Sequence, residues 1–370
     1  MSILDRYILR SLVVNYLIAL AVMMSLYIVL DLFFNMDEFT EGDQGVAEVV
    51  ADVVGYYATN LFLYFAQLSG VITLVACAAT LARMRRANEL TAMLASGVSL
   101  YRVAAPVLGF GLATTVLWVL DTEVAIPRVA ARLARSHDDA RGEKTYGVWF
   151  LRDRDGALLS AQQFLPGSGV MRRVMIMKLD DRGTVKSVIE AEEAMWEKLI
   201  GHHLGGRWVL TDAWETFRPL PDQRPFASRE HSPRERVQFY ESDLDPAKIQ
   251  VRQSAQWIDF LSSSQLSALG RRELPPALAS SVQQARHRRF VAPIINLVML
   301  LLGIPFLLDR APGAVAADIS KCLAVCGICF AFAFVGQNVL RTDSYSALPA
   351  WLPIIVFTPL AVVLVDRIRT

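Results

Sequence analysis

The run SLVVNYLIALAVMMSLYIVL, residues 11–30, holds no charged side chain and is closed by Arg10 on one side and Asp31 on the other. A helix rises about 1.5 Å per residue, so about 20 residues cross the roughly 30 Å hydrocarbon layer of a bilayer. Five more runs follow the same pattern: residues 53–82 between Asp52 and Arg83, 103–120 between Arg102 and Asp121, and 290–308 between Arg289 and Asp309 complete the first four. Residues 322–340 lie between Lys321 and Arg341, and 344–365 end at Asp366. Charge within hydrocarbon is costly, so charge-free runs bracketed by charges predict six transmembrane helices. The first run is about twice the apolar core of a secretory signal, so it is expected to remain as a span.

Composition agrees. Hydrophobic residues make up 54% of the 370, mean hydropathy is +0.35, and charged residues still reach 20%, so the chain is patchy. The net charge of +1 excludes the basic stripe that a nucleic-acid partner needs. Cys77, Cys322, Cys326 and Cys329 all fall in apolar runs, which leaves no disulfide framework in the polar middle of the chain.

Arginine in the short loops sets the expected orientation. The turn between spans two and three carries Arg83, Arg85, Arg86 and Arg102, and the tail carries Arg367 and Arg369. The loop after span one holds Asp37, Glu38, Glu41, Asp43, Glu48 and Asp52, with no Lys or Arg. Both termini are therefore expected in the cytoplasm and the middle domain outside. Arg286, Arg288 and Arg289 on the outer side run against this, but long translocated domains largely escape the charge rule.

Residues 122–286 change character. A polar helical stretch (127–141) gives way to short β-type runs at 147–151, 174–179, 184–189, 194–200 and 207–211, with Asp155-Gly156 as a hairpin signal. This pattern predicts a sandwich, jelly roll or open barrel. A helical segment near 256–269 leads back to the membrane. The expected division is thus 1–121, 122–286 and 287–370.

Several motifs point to chemistry and fail on inspection. Cys322-x3-Cys326-x2-Cys329 has the spacing of a radical-type iron–sulfur motif, yet three buried thiolates in hydrocarbon are very unfavourable. Steps of four and three put the thiols on one helix face, as small packing residues would be. His202 and His203 are neighbours without an acidic or Cys partner at ligand spacing. The chain has no G-x-S-x-G elbow, no H-E-x-x-H and no G-x-x-x-x-G-K-[ST] loop, so no metal, cofactor or catalytic role is expected and it cannot itself cradle ATP phosphates.

The turn between spans two and three says more. Residues 83–98 read as one helical stretch ended by Gly97, with Leu90, Met93, Leu94 and Gly97 on one face and Glu89 the only acid beside Arg83, Arg85 and Arg86. Two readings stand: headgroup anchoring of span two, or a short amphipathic helix that docks on a separate motor subunit.

Glu89-Leu90 followed by Ala95-Ser96-Gly97-Val98-Ser99 resembles the coupling helix of the LptF/LptG family of lipopolysaccharide-export permeases. Asp5-Arg6-Tyr7-Ile8 is similar to that family's N-terminal start, Arg288-Arg289-Phe290-x2-Pro293 with Gly303-Ile304-Pro305 to its fourth span, and 348–353 (LPAWLP) to the entry of its last span. The likeness runs nearly the full length, in order. It implies a heterodimer with a second permease paralogue, bound to an ABC ATPase dimer in the Gram-negative inner membrane. It further implies a periplasmic jelly roll that passes lipopolysaccharide to a bridge protein, and a single-span accessory protein. Carried onto this chain, Arg85, Arg86, Glu89, Leu90, Met93, Leu94 and Gly97 would couple to the ATPase, and spans one and five would border a lateral opening. Family members carry basic residues near the outer end of span one, where this chain has Asp31, Asp37 and Glu38. Arg286, Arg288 and Arg289 stand as the alternative source of a lipid-phosphate contact, or as interface anchors of span four. A lipid or lipoprotein exporter of another ABC kind, usually with four spans, and a membrane-anchored sensor or enzyme are the rival classes.

Overall fold

The computed structural model describes residues 3–40, 45–134, 145–153, 156–180, 183–199, 206–217, 234–254, 257–271, 276–308, 315–338 and 348–366. His202, His203 and the tail arginines lie outside them. The chain divides into two units: 1–36, 57–128 and 258–370 form one, and 37–56 with 129–257 form the other.

In the helical unit, charge-free sequence becomes long helix. Helices α1 (Ile3–Thr40), α2 (Val46–Arg86), α8 (Pro276–Leu307) and α9 (Val315–Asn338) each exceed the run that predicts them. Helix α4 (Leu100–Leu120) continues through a π-helical turn, Asp121–Ala125, into α5 (Ile126–Leu133). Among the described residues five helical segments are long and apolar enough to cross a membrane, and the last expected run forms a shorter apolar helix, α10 (Leu348–Asp366). A separate antiparallel sheet interrupts the helices in sequence, between α5 and a short helix, α6 (Pro246–Gln253). The long α1 carries one non-helical residue, Asn35, whose side-chain amide donates to the Asp31 carbonyl at 2.8 Å. A side chain that competes for the backbone ladder in this way accounts for the kink.

Small residues let α8 approach its neighbours. A Cβ on Gly111 of α4 would overlap Leu300, and one on Gly303 would lie 2.9 Å from Leu74 and 3.1 Å from the Cys322 sulfur. In lipid, such close approach supplies the dispersion contact that drives helix association. Cys322, Cys326 and Cys329 are buried against this seam, and the Cys326 thiol donates to the Met299 carbonyl at 3.3 Å. Among the described residues no group of three or more His, Cys, Asp or Glu is placed to hold a metal.

The second unit is built on one eight-stranded antiparallel sheet: β1 (Tyr146–Arg152), β2 (Leu158–Leu165), β3 (Val170–Leu179), β4 (Val185–Lys198), β5 (Gly206–Thr211), β6 (Trp214–Phe217), β7 (Arg234–Arg236) and β8 (Phe239–Tyr240). The order is β1-β2-β3-β4-β5-β8, with β6 on β4 and β7 on β6. The expected separate runs 184–189 and 194–200 are one long strand, β4. Strands β5 and β6 continue a single register on it, Glu193 facing Thr211 and Glu190 facing Trp214.

One row interrupts the alternation. Ala161 and Phe164 are buried around exposed Gln162 and Gln163, and Met171 and Val174 around exposed Arg172 and Arg173. The same step recurs at Ala191–Ala194 and at Leu210–Ala213, and the register places all four side by side. Arg173 (φ +51°) and Asp212 (φ +50°) occupy the left-handed region in this row, which returns the following side chains to the same face. The core beneath includes Phe164, Met171, Ile176, Ile189, Leu210 and Trp208, whose indole donates to the Leu244 carbonyl at 2.9 Å.

Candidate functional site

Helix α2 ends at Arg86. Ala87 and Asn88 form a turn, with Asn88 left-handed at φ +60°, a conformation that asparagine tolerates better than most side chains. Helix α3 (Glu89–Ala95) then runs about two turns and stops at Gly97, φ +86°. The amide of Gly97 donates to Leu94 and that of Val98 to Met93, which is a Schellman ending, and Gly97 supplies its left-handed residue. The stretch expected as one helix is therefore an elbow of two pieces broken at Asn88.

Each side of the elbow has a distinct use. Leu90 is 4% exposed inside the helical core, and Met93, Leu94 and Val98 pack on that core. The apolar face read from sequence thus seats α3 on its own chain. Arg86, Ala87, Asn88, Thr91, Ala92, Ala95, Ser96 and Gly97 point outward.

The charged residues turn toward two other helices. The Tyr7 hydroxyl donates to Glu89 at 2.8 Å, and Arg83 Nη2 donates to Ser11 Oγ at 2.6 Å, both on α1. Arg85 Nη1 lies 2.9 Å from Asp318 Oδ2 on α9, with these side chains only 11% and 10% exposed, and Lys321 stands 3.4 Å from the other Asp318 oxygen. Of the sequence candidates, the structure gathers Arg85, Glu89, Leu90, Met93 and Leu94 about one seat and leaves Arg86 and Gly97 outside it. Tyr7, Ser11 and Asp318 are missed by sequence reasoning, because no local pattern joins positions so far apart.

The arginines of α8 separate as well. Arg289 Nη1 donates to the Thr122 carbonyl at 2.6 Å and stands 3.3 Å from Glu123, while Nη2 reaches the carbonyls of Asp259 and Leu261. Glu123 also accepts from the Ser263 amide at 2.8 Å and its hydroxyl at 2.6 Å, at the start of helix α7 (Ser263–Gly270). Arg288 pairs with Asp259. Arg289, 11% exposed at its side chain, is thus spent on carbonyls that the π turn and the 3-10 turn Trp257–Phe260 leave without helical partners. Arg286 is exposed and makes no hydrogen bond or ion pair among the described residues.

Toward the C-terminal end of α1, Asp31 Oδ2 accepts from Tyr57 at 2.9 Å and from Tyr64 at 3.4 Å. Its carboxylate clasps α1 to α2 at the position where the resemblance leads one to expect positive charge.

The family model of the lipopolysaccharide export system permease LptF/LptG matches residues 6–367 of this sequence. The chain belongs to the LptF/LptG family. No curated protein matches it. The LptF/LptG family is one of transport permeases, and the chain's apolar helices with an intervening β domain fit a multi-pass membrane protein of that kind.

Proposed function

We propose that this chain is a permease subunit of an ATP-driven lipopolysaccharide exporter, paired with a second permease and moved by a separate ABC ATPase dimer. The match to the LptF/LptG family over nearly the whole chain carries this reading. In it the chain has six spans, with α10 as the last, both termini cytoplasmic and the sheet in the periplasm. Lipid leaves the membrane through a jelly-roll-like trough to a bridge protein, in the company of a single-span accessory protein. The chain holds no cofactor of its own, and ATP is used by the partner.

Energetics give such a machine its task. Moving one CH₂ from bilayer to water costs about 0.8 kcal/mol, so a multi-chain lipid needs an unbroken apolar route. Helices α1 and α9 are the least covered of the long spans, 11% and 28% of their apolar windows against 50% for α2 and α8. That supports their place beside a lateral opening. Arg286, exposed and unpaired among the described residues, is the outer arginine left to meet a lipid phosphate.

The elbow meets the ATPase in this reading through Glu89 and the outward residues about it. Glu89→Lys, in native membranes with the partner ATPase, is expected to abolish lipid release, and Glu89→Ala to reduce it. Normal release and normal ATP turnover in both variants would remove the elbow from the mechanism. A pull-down that recovers neither an ATPase nor a second permease would remove the exporter reading.

A further inference from the structure

We propose that Asp318 and Arg85, together with Tyr7 and Ser11, are positioning residues that tie the elbow to α9 and α1, so that one push moves both sparsely covered helices. This rests on the elbow being the ATPase dock. Three consecutive inward reaches support it. Arg83 takes Ser11, Arg85 takes Asp318 and Glu89 takes Tyr7, within seven residues of chain and toward two different helices.

The Arg85–Asp318 pair is the strongest tie. Both side chains are nearly covered, and while Asp318 keeps the exposed Lys321 as a second partner, Arg85 parted from Asp318 would be left covered and unpaired, a costly state that keeps the two ends together. Arg86, one residue on, is exposed, which shows that this end of α2 can present an arginine outward without such a bond. Headgroup anchoring therefore explains Arg86 and not Arg85. The α1 ties differ in kind: a phenol and a hydroxyl each meet one charged partner, Glu89 and Arg83, and give direction through a charge-assisted bond rather than an ion pair.

Motion delivered at the elbow accordingly reaches α1 and α9 through polar ties of their own, in addition to the apolar seam in which α9 meets α8.

The test uses the complete exporter, purified with both permeases and ATPase and placed in vesicles containing lipopolysaccharide. Lipid released is measured per ATP hydrolysed. With the ATPase still bound, Asp318→Asn is expected to lower that ratio about fivefold, a typical coupling between sites. The exchange Arg85→Asp with Asp318→Arg is expected to restore it. A second variant, Tyr7→Phe with Ser11→Ala, removes only uncharged groups and is expected to lower the ratio in the same direction. An unchanged ratio in Asp318→Asn, or in the Tyr7/Ser11 variant should Asp318→Asn not accumulate, overturns the proposal. Failure of the exchanged pair to restore coupling while the complex stays assembled overturns it too. Loss of ATPase from the unmodified chain would instead overturn the dock on which it rests.

Discussion

Helix α8 meets its neighbours at glycine, whereas α1 adds to its buried Ile8, Leu12, Tyr16 and Ala19 a series of hydrogen bonds spaced along its length. Gly111 and Gly303 bring α4, α2 and α9 against α8 so closely that a Cβ at either glycine would press on a leucine side chain, Leu300 or Leu74, at less than 3.0 Å. On α1 the ties are Tyr7 to Glu89, Ser11 to Arg83, Asn15 to Thr80 at 2.7 Å, and Asp31 to Tyr57 and Tyr64. Contact by shape gives way only if the whole seam opens. Contact by single polar groups can be released one at a time, at modest cost each even in lipid. A membrane protein thus assigns rigidity and mobility to different helices by choosing what fills the gap between them.

The largest expected effect strikes the seam. Gly303→Leu forces side-chain atoms into the space of Leu74 and Cys322 and is expected to cost up to about 3 kcal/mol, seen as a lower melting midpoint in detergent. An unaltered midpoint would show that α8 is not held by shape. Next comes Arg289→Ala, which strands Glu123 and the carbonyls of Thr122, Asp259 and Leu261. A loss of about 2 kcal/mol is expected, with faster hydrogen exchange confined to 121–126 and 257–263. Exchange rising evenly across the helices would separate Arg289 from those turns. The smallest effect belongs to α1: Asn15→Ala is expected to cost about 0.6 kcal/mol, the mean for a polar contact between membrane helices. A loss as large as that of Gly303→Leu would erase the distinction between the two helices.

The spans were legible because hydrocarbon is an unforgiving solvent: the first three charge-free runs lie within helices α1, α2 and α4, and the fourth within α8 but for Leu308. Their extensions were not. Helix α1 runs past Asp31 because two tyrosines from α2 receive that carboxylate, and nothing local announces a partner 26 residues away. The break at Asn88 escaped because Arg83–Gly97 keeps helical spacing on both sides of it. The three outer arginines read alike in sequence, yet two are consumed by the chain's own carbonyls and carboxylates, a matter of tertiary placement alone. In the sheet, β2 went unread and β4 was split because the paired polar positions, Gln162-Gln163 and Glu192-Glu193, break the two-residue period that marks a strand.

That transverse row of paired polar residues has an effect on how the domain can change over time. Backbone direction there turns at Arg173 and Asp212, both exposed, while the apolar lining is supplied by other residues altogether. Substitutions at the outer pleat can therefore alter the one without redrawing the other.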